Sequence, residues 1–353
     1  MELFVEASHR REWWVPVRWL RGMLDFGETA LWANTRSPAG AMWSRSMLRL
    51  GEGDVEGAWD DLAACERMAG LMAKAPDLIG KLMAAGIHQG TMEGMRGMIE
   101  HGELPAGMLR EMDALLKEQK PWPKGGEIVP QSDRYMFLTN VSIYAKGLQE
   151  AWDTSGNGLK EQYQAAGMRL PDWNRAMRLG NQMYDMLQAD ETRMSAQQRA
   201  EHRRVIGARI GEMTAFYETS KPGWKADLTV DNTWLMPRVG EKQDAYSDRI
   251  GTVVAIMVSE KPEGPRRSFD RCNEWTAWTR VAAALLRYRQ DRGGYPADLK
   301  ALVPGYLAAL PEANAERPMR YETAAKGFVL TNESTATTQK GSAKWGFTIR
   351  RER

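Results

Sequence analysis

Cysteine and histidine are scarce in this chain, which limits the metal and redox chemistry that it can support. Its 353 residues include two cysteines and four histidines, at Cys65, Cys272, His9, His88, His101 and His202. No histidine has a histidine or cysteine partner at the spacing of a zinc site, and there is no His-Glu-x-x-His motif. The two cysteines lie far apart in sequence, so they could pair only if the fold brings them together. The sequence therefore predicts no metal site and leaves that pairing open.

Long apolar runs and an excess of one charge are also missing. The longest strongly apolar stretch, 252–258, is far shorter than the roughly 20 residues of a transmembrane helix. The charged first residues, MELFVEASHRREWW, do not resemble a signal peptide. The net charge is +2, so no global field would attract nucleic acid, although 266–271 and 350–353 are locally basic. We expect the chain as written to be soluble and to have no nucleic-acid partner, and its compartment stays open.

Sequence motifs of catalysis are missing as well. There is no Gly-x-Ser-x-Gly elbow, no Walker A loop and no Gly-x-Gly-x-x-Gly turn. The carboxylates are interspersed with lysine and arginine, which is the usual pattern of solvated helix faces. The sequence therefore favours a protein without enzymatic activity, and it predicts no catalytic residue and no cofactor. A site assembled between helices would leave no local motif, so an enzyme remains an alternative.

Tryptophan and methionine are abundant, at 14 and 22 residues, and favour a core of bulky, adaptable side chains. Apolar residues recur every three or four positions over most of 1–260, which predicts a multi-helix, helical-hairpin assembly. One amphipathic helix is predicted over 13–24, starting or interrupted near Pro16, and Ser37-Pro38 marks a break. Further helices are predicted at 41–50, 55–74, 77–100, 105–119, 131–150, 160–168, 172–190, 195–219 and 241–259.

The C-terminal part changes character. A long helix is predicted over 268–291 and ends at Gly293-Gly294, because glycine adopts the left-handed conformation that follows many helices. A short helix follows at 297–303. The apolar period then changes to two, which predicts a hairpin and a third antiparallel strand within 319–349. The predicted fold class is thus mainly α, with a small C-terminal α+β module made of a long helix and a three-stranded antiparallel sheet.

Two segments rich in proline and glycine, 121–126 and 262–265, are the clearest linkers. They divide the chain into an N-terminal helical region, a second helical region packed on the first, and the α+β module, at 1–120, 121–260 and 266–353. Trp275 and Trp278 share one face of the long helix. We expect this face to dock the module on the helical part.

The C-terminal part also resembles a known family. The segments RVAAALLRYRQDRGGYPADLKALVPGYLAALP (280–311) and MRYETAAKGFVLTN (319–332) follow the pattern R-Y-x-x-x-x-G-x-Y-P, then L-x-x-L-V-P, then a hairpin. The residues of this pattern are Arg287, Tyr288, Gly293 or Gly294, Tyr295, Pro296, Leu299, Leu302, Val303 and Pro304. The chain is similar here to uncharacterised planctomycete-type bacterial proteins, whose ends resemble the major, G-type pseudopilins of type II secretion. Residues 46–87 and 173–187 are similar to the helical part of the same bacterial group.

The resemblance implies a pseudopilin-like module and suggests an envelope-associated, secretion-like role as one alternative. Three features of those families have no counterpart in this sequence. They are a membrane-anchoring helix at the start, an apolar polymerising half-helix upstream of 268, and an acidic calcium loop. Residues 331–344 hold a single carboxylate, and calcium usually needs at least two. The resemblance therefore implies the fold of the module without its polymerisation and without its calcium site.

Two further patterns have an ordinary structural interpretation beside a functional one. The segment from Asp153 to Gln164 has the donor spacing of an EF-hand opening, but its twelfth position is glutamine instead of a bidentate glutamate, which favours a turn. A methionine stripe with one histidine has the composition of a soft-metal site, but the same spacing buries one face of a helix. This stripe consists of His88, Met92, Met95 and Met98.

From the sequence we expect a non-catalytic scaffold or protein-interaction protein whose partner is another protein. The alternatives are an enzyme with a motif-less site between helices and an envelope-associated component of a secretion-like system. An exposed apolar or aromatic groove would favour the scaffold, whereas a deep pocket with converging polar groups would favour the enzyme.

Overall fold

Helices make up most of the molecule. The computed structural model describes residues 1–13, 18–20, 23–25, 29–101, 104–129, 131–153, 159–165, 167, 169–189, 193–220, 237–238, 240–258, 263–311, 319–324, 327–332 and 346–350. These ranges contain the helices α1 (Glu2–Ser8), α2 (Thr29–Glu52), α3 (Val55–Met72), α4 (Leu78–His101), α5 (Ala106–Glu118), α6 (Gln131–Asp153), α7 (Leu159–Ala165), α8 (Trp173–Leu187), α9 (Ala196–Ser220), α10 (Gln243–Val258) and α11 (Glu263–Arg292). Short 3-10 turns occur at Gly125–Ile128 and Leu299–Leu302. Among the described helices, none is long and apolar enough to cross a membrane.

The strands form two small antiparallel sheets. They are β1 (Arg18–Leu20) and β2 (Met23–Asp25) near the N-terminus, and β3 (Met319–Ala324), β4 (Gly327–Asn332) and β5 (Gly346–Arg350) near the C-terminus. In the C-terminal sheet β4 is central, and Leu330 lies opposite both Tyr321 of β3 and Phe347 of β5. The predictions of a mainly helical fold and of a C-terminal three-stranded antiparallel sheet are both confirmed.

The predicted amphipathic helix over 13–24 is wrong. α1 ends at Ser8, and 18–20 pairs with 23–25 as a hairpin, with Leu20 opposite Met23. The two strands are separated by two residues in the sequence, which is a common length for a hairpin connection. The bulky side chains at this end suit a strand as well as a helix, so their spacing alone did not decide between the two.

Two predicted breaks also lie inside helices. α2 continues through Pro38, although proline cannot donate the usual helical hydrogen bond. Ala39 and Met42 follow it and are completely buried, so tertiary packing holds the helix together. The proposed linker at 262–265 overlaps the first turn of α11, where Pro265 needs no amide partner. The predicted stop at Gly293 is confirmed, with φ +77° and its amide bonded to the carbonyl of Arg289.

The first hydrophobic core includes α11 and the C-terminal sheet together with N-terminal helices. Trp59 and Leu62 of α3 belong to the same buried cluster as Trp278 of α11 and Phe328 and Phe347 of the sheet. Trp275 is half-buried against it. β5 also contacts α4 directly, because the amide of Thr348 donates to Glu100. The expected contact face of α11 is therefore used, while the division into 1–120, 121–260 and 266–353 stays a prediction.

Two further cores complete the described part. One is formed by α6 to α10 and includes Phe137, Tyr163, Tyr184 and Tyr246. The other joins α1 to α4 with the first turns of α11 and includes Phe269. The second helical region therefore has its own core, whereas α11 contributes to the two others.

The predicted linker at 121–126 is irregular over 121–124, enters the 3-10 turn at Gly125, and is hydrogen-bonded to α11. Trp122 is buried, and its ring stacks on Phe269 with 5.8 Å between the centroids. The Asn273 side chain accepts from the Trp122 amide at 2.9 Å and donates to the Trp122 carbonyl at 3.2 Å. The Asn273 side chain thus satisfies both backbone polar groups of Trp122. We call this segment, 121–124, the strap, because it lies across α11.

Gly180 tests how tightly the second core is packed. A methyl group at this position of α8 would collide with the ring of the buried Phe137 on α6. We expect Gly180→Ala to lower the free energy of unfolding by about 1–3 kcal/mol, the usual cost of overpacking, as measured by urea denaturation. Gly147→Ala on α6 is the control, because a methyl group meets nothing there and is expected to stabilise by up to about 1 kcal/mol. Equal effects of the two substitutions would contradict this packing.

Candidate functional site

The most deeply buried polar pair of the N-terminal helices lies between α3 and α4. Glu66 of α3 and His88 of α4 are each 1% exposed. His88 Nδ1 lies 2.9 Å from both carboxylate oxygens of Glu66. An ionised carboxylate only accepts hydrogen bonds, so this geometry suits donation from Nδ1–H to Glu66. The pair fixes the two helices to each other at one position along their length.

α11 completes the network on the other side of the His88 ring. His88 Nε2 lies 3.0 Å from the hydroxyl of Thr276 and 3.3 Å from the carbonyl oxygen of Cys272. The Thr276 hydroxyl is also 2.9 Å from that carbonyl, so it can donate there or to His88. Glu66, His88 and Thr276, which we call the polar triad, thus join three helices.

Aromatic and polar neighbours close the triad off. The Trp122 ring lies 5.3 Å from the His88 ring, measured between the centroids. Trp122 belongs to the strap that packs against α11. Gln89, the next residue of α4, donates to the hydroxyl of Ser268 at 2.8 Å. The α4–α11 contact therefore has polar bonds at two successive residues of α4.

The local sequence accounts for these positions. Leu62 and Ala69 lie on the buried face of α3, and Glu66 falls between them at helical spacing, so it must be buried as well. A charged residue within an apolar stripe is the signal that could have marked Glu66 as a site residue, and the sequence analysis missed it. Thr276 carried no comparable signal, because a single hydroxyl is common on a half-buried helix face.

A carboxylate, an imidazole and a hydroxyl in this order have the connectivity of a catalytic triad. Acyl transfer also needs amide donors at the position where the oxyanion develops. Thr276 lies in the middle of α11, where the backbone amides are already bonded within the helix. Glu66 and His88 are shielded from solvent as well. The arrangement is therefore better suited to holding helices together than to attacking a substrate.

The two cysteines are free and buried. Burial raises the pKa of each thiol to about 12. Cys65 lies against the carbonyl of Ala39 at 3.9 Å, and Cys272 against that of Ala85 at 3.7 Å. Thiols of this kind are weak nucleophiles, since only the thiolate reacts readily.

The methionine stripe lies in the first core. Met92, Met95 and Met98 are all fully buried, as the helical spacing predicts for a core face. Met92 accepts a long hydrogen bond from Thr279 of α11 at 3.6 Å. His88, the fourth member, is bonded to Glu66 and α11 instead. Within the described ranges, no group of three or more histidine, cysteine or acidic side chains could hold a metal ion.

Other segments raised by the sequence lie partly outside the described residues. Asp153 ends α6 and accepts from Gln149, 154–158 of the EF-hand-like stretch lies outside the described residues, and the rest of the stretch belongs to α7. Of the 331–344 loop, only its first two residues are described, and 351–353 is outside. Arg271, from the basic cluster, stacks on Trp275 with its guanidinium 5.8 Å from the ring.

Comparisons with protein-family models, with curated proteins and with solved structures found no match to this chain. The resemblance of the C-terminal part to pseudopilins therefore stays a prediction.

The polar triad leads to a stability prediction. Replacing His88 with alanine leaves Glu66 buried without its partner, so we expect the free energy of unfolding to fall by about 3–5 kcal/mol in urea denaturation. Thr276→Val removes one neutral hydrogen bond and is expected to cost about 1 kcal/mol. His202→Ala, at a partly exposed position on α9, is the control and should change stability by less than about 0.5 kcal/mol. A His88→Ala protein as stable as the control would contradict a structural role for the pair.

Proposed function

We propose that the protein is a non-catalytic helical scaffold that binds another protein. The observation that supports this most directly is the use of its buried ionisable side chains. In the N-terminal helices Asp61, Glu66 and His88 bond to side chains of other helices, so these groups serve to join helices. A protein built for chemistry would instead direct such groups towards a substrate.

Three pairs illustrate this use, and each joins a different pair of helices. Arg45 of α2 donates from Nε to Asp61 of α3 at 2.8 Å, and Asp61 is 1% exposed. His88 and Glu66 join α4 to α3. Arg280 of α11 donates to Asp113 of α5 at 2.7 Å. Buried or half-buried charges that are paired across helices favour one arrangement of those helices, and a scaffold needs a fixed arrangement to present a surface.

The exposed face of α2 is where we expect the partner to bind. Met47 and Leu48 are neighbours on this helix, and they are 37% and 61% exposed. Among the described residues, the other exposed large apolar side chains are Met1 and Leu3 at the N-terminus, and Ile79, Tyr135 and Val205, which lie singly on separate helices. Single exposed apolar residues are normal on a protein surface, whereas adjacent ones favour contact with a partner.

The binding proposal is tested by affinity capture from the source organism with the wild-type protein and two variants. We expect Leu48→Glu to lose a partner that the wild type retains, because a charge replaces apolar surface at the interface. Ser142→Glu, at an exposed position on α6, is the control and should keep that partner. Identical capture by the wild type and Leu48→Glu would contradict binding through this face.

The enzyme alternative rests on the polar triad, and the Thr276→Val variant described above tests it. A screen for hydrolytic turnover in which Thr276→Val abolishes activity while the fold is retained would favour an enzyme over a scaffold. Turnover that is absent, or that survives Thr276→Val, would favour the scaffold.

The pseudopilin resemblance supports a third proposal, an envelope-associated component of a secretion-like system. The order of α11, the Gly293 stop, a 3-10 turn and a β-hairpin agrees with the pattern on which that resemblance rests. In this chain, however, α11 packs against α4 and α5 along much of its length, and it buries Trp278 there. The surface of the helix is therefore covered by other parts of the same chain, which favours a packing role for the module.

A further inference from the structure

The first turns of α4 and α6 meet at two buried carboxyl groups. Asp77 immediately precedes α4, and Asp133 lies in the first turn of α6. Each residue is 6% exposed. The neighbouring Ser132 donates its hydroxyl to the carbonyl of Pro76, so the two helix starts are bonded here through both side chain and backbone. This contact links the second helical region to the N-terminal helices.

Both carboxyl groups accept hydrogen bonds from the same helix turn. Asp77 Oδ1 accepts from the Gly80 amide at 2.7 Å, which is the geometry of an N-cap. The carboxyl group of Asp133 accepts from the Leu78 amide. The second oxygen of Asp77, Oδ2, is buried and has no hydrogen-bond partner among the described residues. A buried acceptor without a donor is destabilising, so the contact lacks one proton donor.

The charges around the pair are unbalanced when both carboxyl groups are ionised. The described charged groups that face Asp133 are Asp77, just before α4, and Lys81 of α4. Glu127 of the adjacent 3-10 turn attracts the charge of Lys81. Burial lowers the pKa of Lys81, which weakens it as a counter-charge. The positive end of the α4 dipole is equivalent to about half a charge, too little to offset two carboxylates.

We propose that Asp77 and Asp133 form a proton-dependent clasp between α4 and α6. A proton on Asp133 removes one of the two like charges and provides a donor at a junction that holds an unpaired acceptor. Loss of that proton leaves two carboxylates buried at the same junction and loosens the contact between the helices.

The direction of the pH dependence follows from linkage. Burial, and to a lesser extent the charge of Asp77, raise the pKa of Asp133 from 3.8 to about 7. The folded protein therefore holds this proton more tightly than the unfolded chain does. Its contribution is complete below about pH 4, is lost as the pH rises to about 7, and does not change further at higher pH. The difference of about three pKa units limits the effect to roughly a thousand-fold in the opening equilibrium.

The clasp is tested by hydrogen exchange of the amides in the first turns of α4 and α6, corrected for the intrinsic exchange rate, between pH 4.5 and 8. In the wild type we expect the protection factor to fall at least about ten-fold over this range. In Asp133→Asn we expect a flat profile, because the amide nitrogen is a permanent donor without a charge. Asp185→Asn is the matched control, since this exposed aspartate of α8 pairs with Arg134 beside the site, and it should follow the wild type.

Several outcomes would overturn the clasp. One is a flat profile in the wild type, and another is an Asp133→Asn profile as steep as that of the wild type. If Asp133→Asn does not fold, Asp77→Asn replaces it, because its oxygen can keep the cap on Gly80 while the substitution removes one of the two like charges. A steep profile in Asp77→Asn would also overturn the proposal. Restoration of wild-type protection at pH 8 by Ca²⁺ or Mg²⁺ alone would assign the pair to a cation instead of a proton.

Discussion

The hydrogen bond between His88 and Glu66 is the interaction on which the arrangement of the N-terminal helices depends. Both side chains are buried. An unpaired charge is strongly unfavourable in a buried environment. Sliding α4 along α3 by one turn would separate this pair. Hydrophobic burial supplies most of the free energy of folding, while the polar triad favours one register of the helices over the others. Thr276 extends the same restriction to α11.

α11 is the second determinant of the architecture, because it belongs to two cores at once. Its first turns pack with Phe269 against α1 to α4, and its later turns pack with Trp278 against α5 and the C-terminal sheet. The Trp122 strap holds it from outside through Asn273. A helix so enclosed has little free surface, and the sheet at its end shares its core. That enclosure is the main physical reason for the proposed packing role of this module.

Buried polar groups serve two different purposes in this molecule. The triad joins helices within a core, and both ring nitrogens of its histidine lie within hydrogen-bond distance of partners. The carboxyl pair at Asp77 and Asp133 lies at the start of two helices from different cores and lacks one donor. A fully bonded network is rigid, whereas an incompletely bonded one responds to whatever supplies the missing donor. The second junction is therefore the place where solution conditions can act on the fold.

Sequence patterns determined where the helices and strands of this protein begin and end, but not which of them pack against each other. Helical periodicity predicted α3 to α6 and α8 to α11 to within a few residues at most ends, because burying one face requires apolar residues at helical spacing. Gly293 and the change to a period of two predicted the end of α11 and the C-terminal sheet. The same reasoning failed at 13–24, where bulky residues suit strand and helix equally, and at Pro38, where packing outweighs a lost hydrogen bond.

Only the tertiary structure decided which polar residues meet. Glu66 and His88 are 22 positions apart, and His88 and Thr276 are 188 apart, so no local pattern relates them. Asp77 and Asp133 each look like an ordinary acidic residue at a helix start, and their burial is invisible until α4 and α6 are placed together. A sequence records the spacing of residues along one element, which is why it determines helices and strands. The environment of a buried charge is set by residues from other elements, and their approach is a property of the folded chain alone.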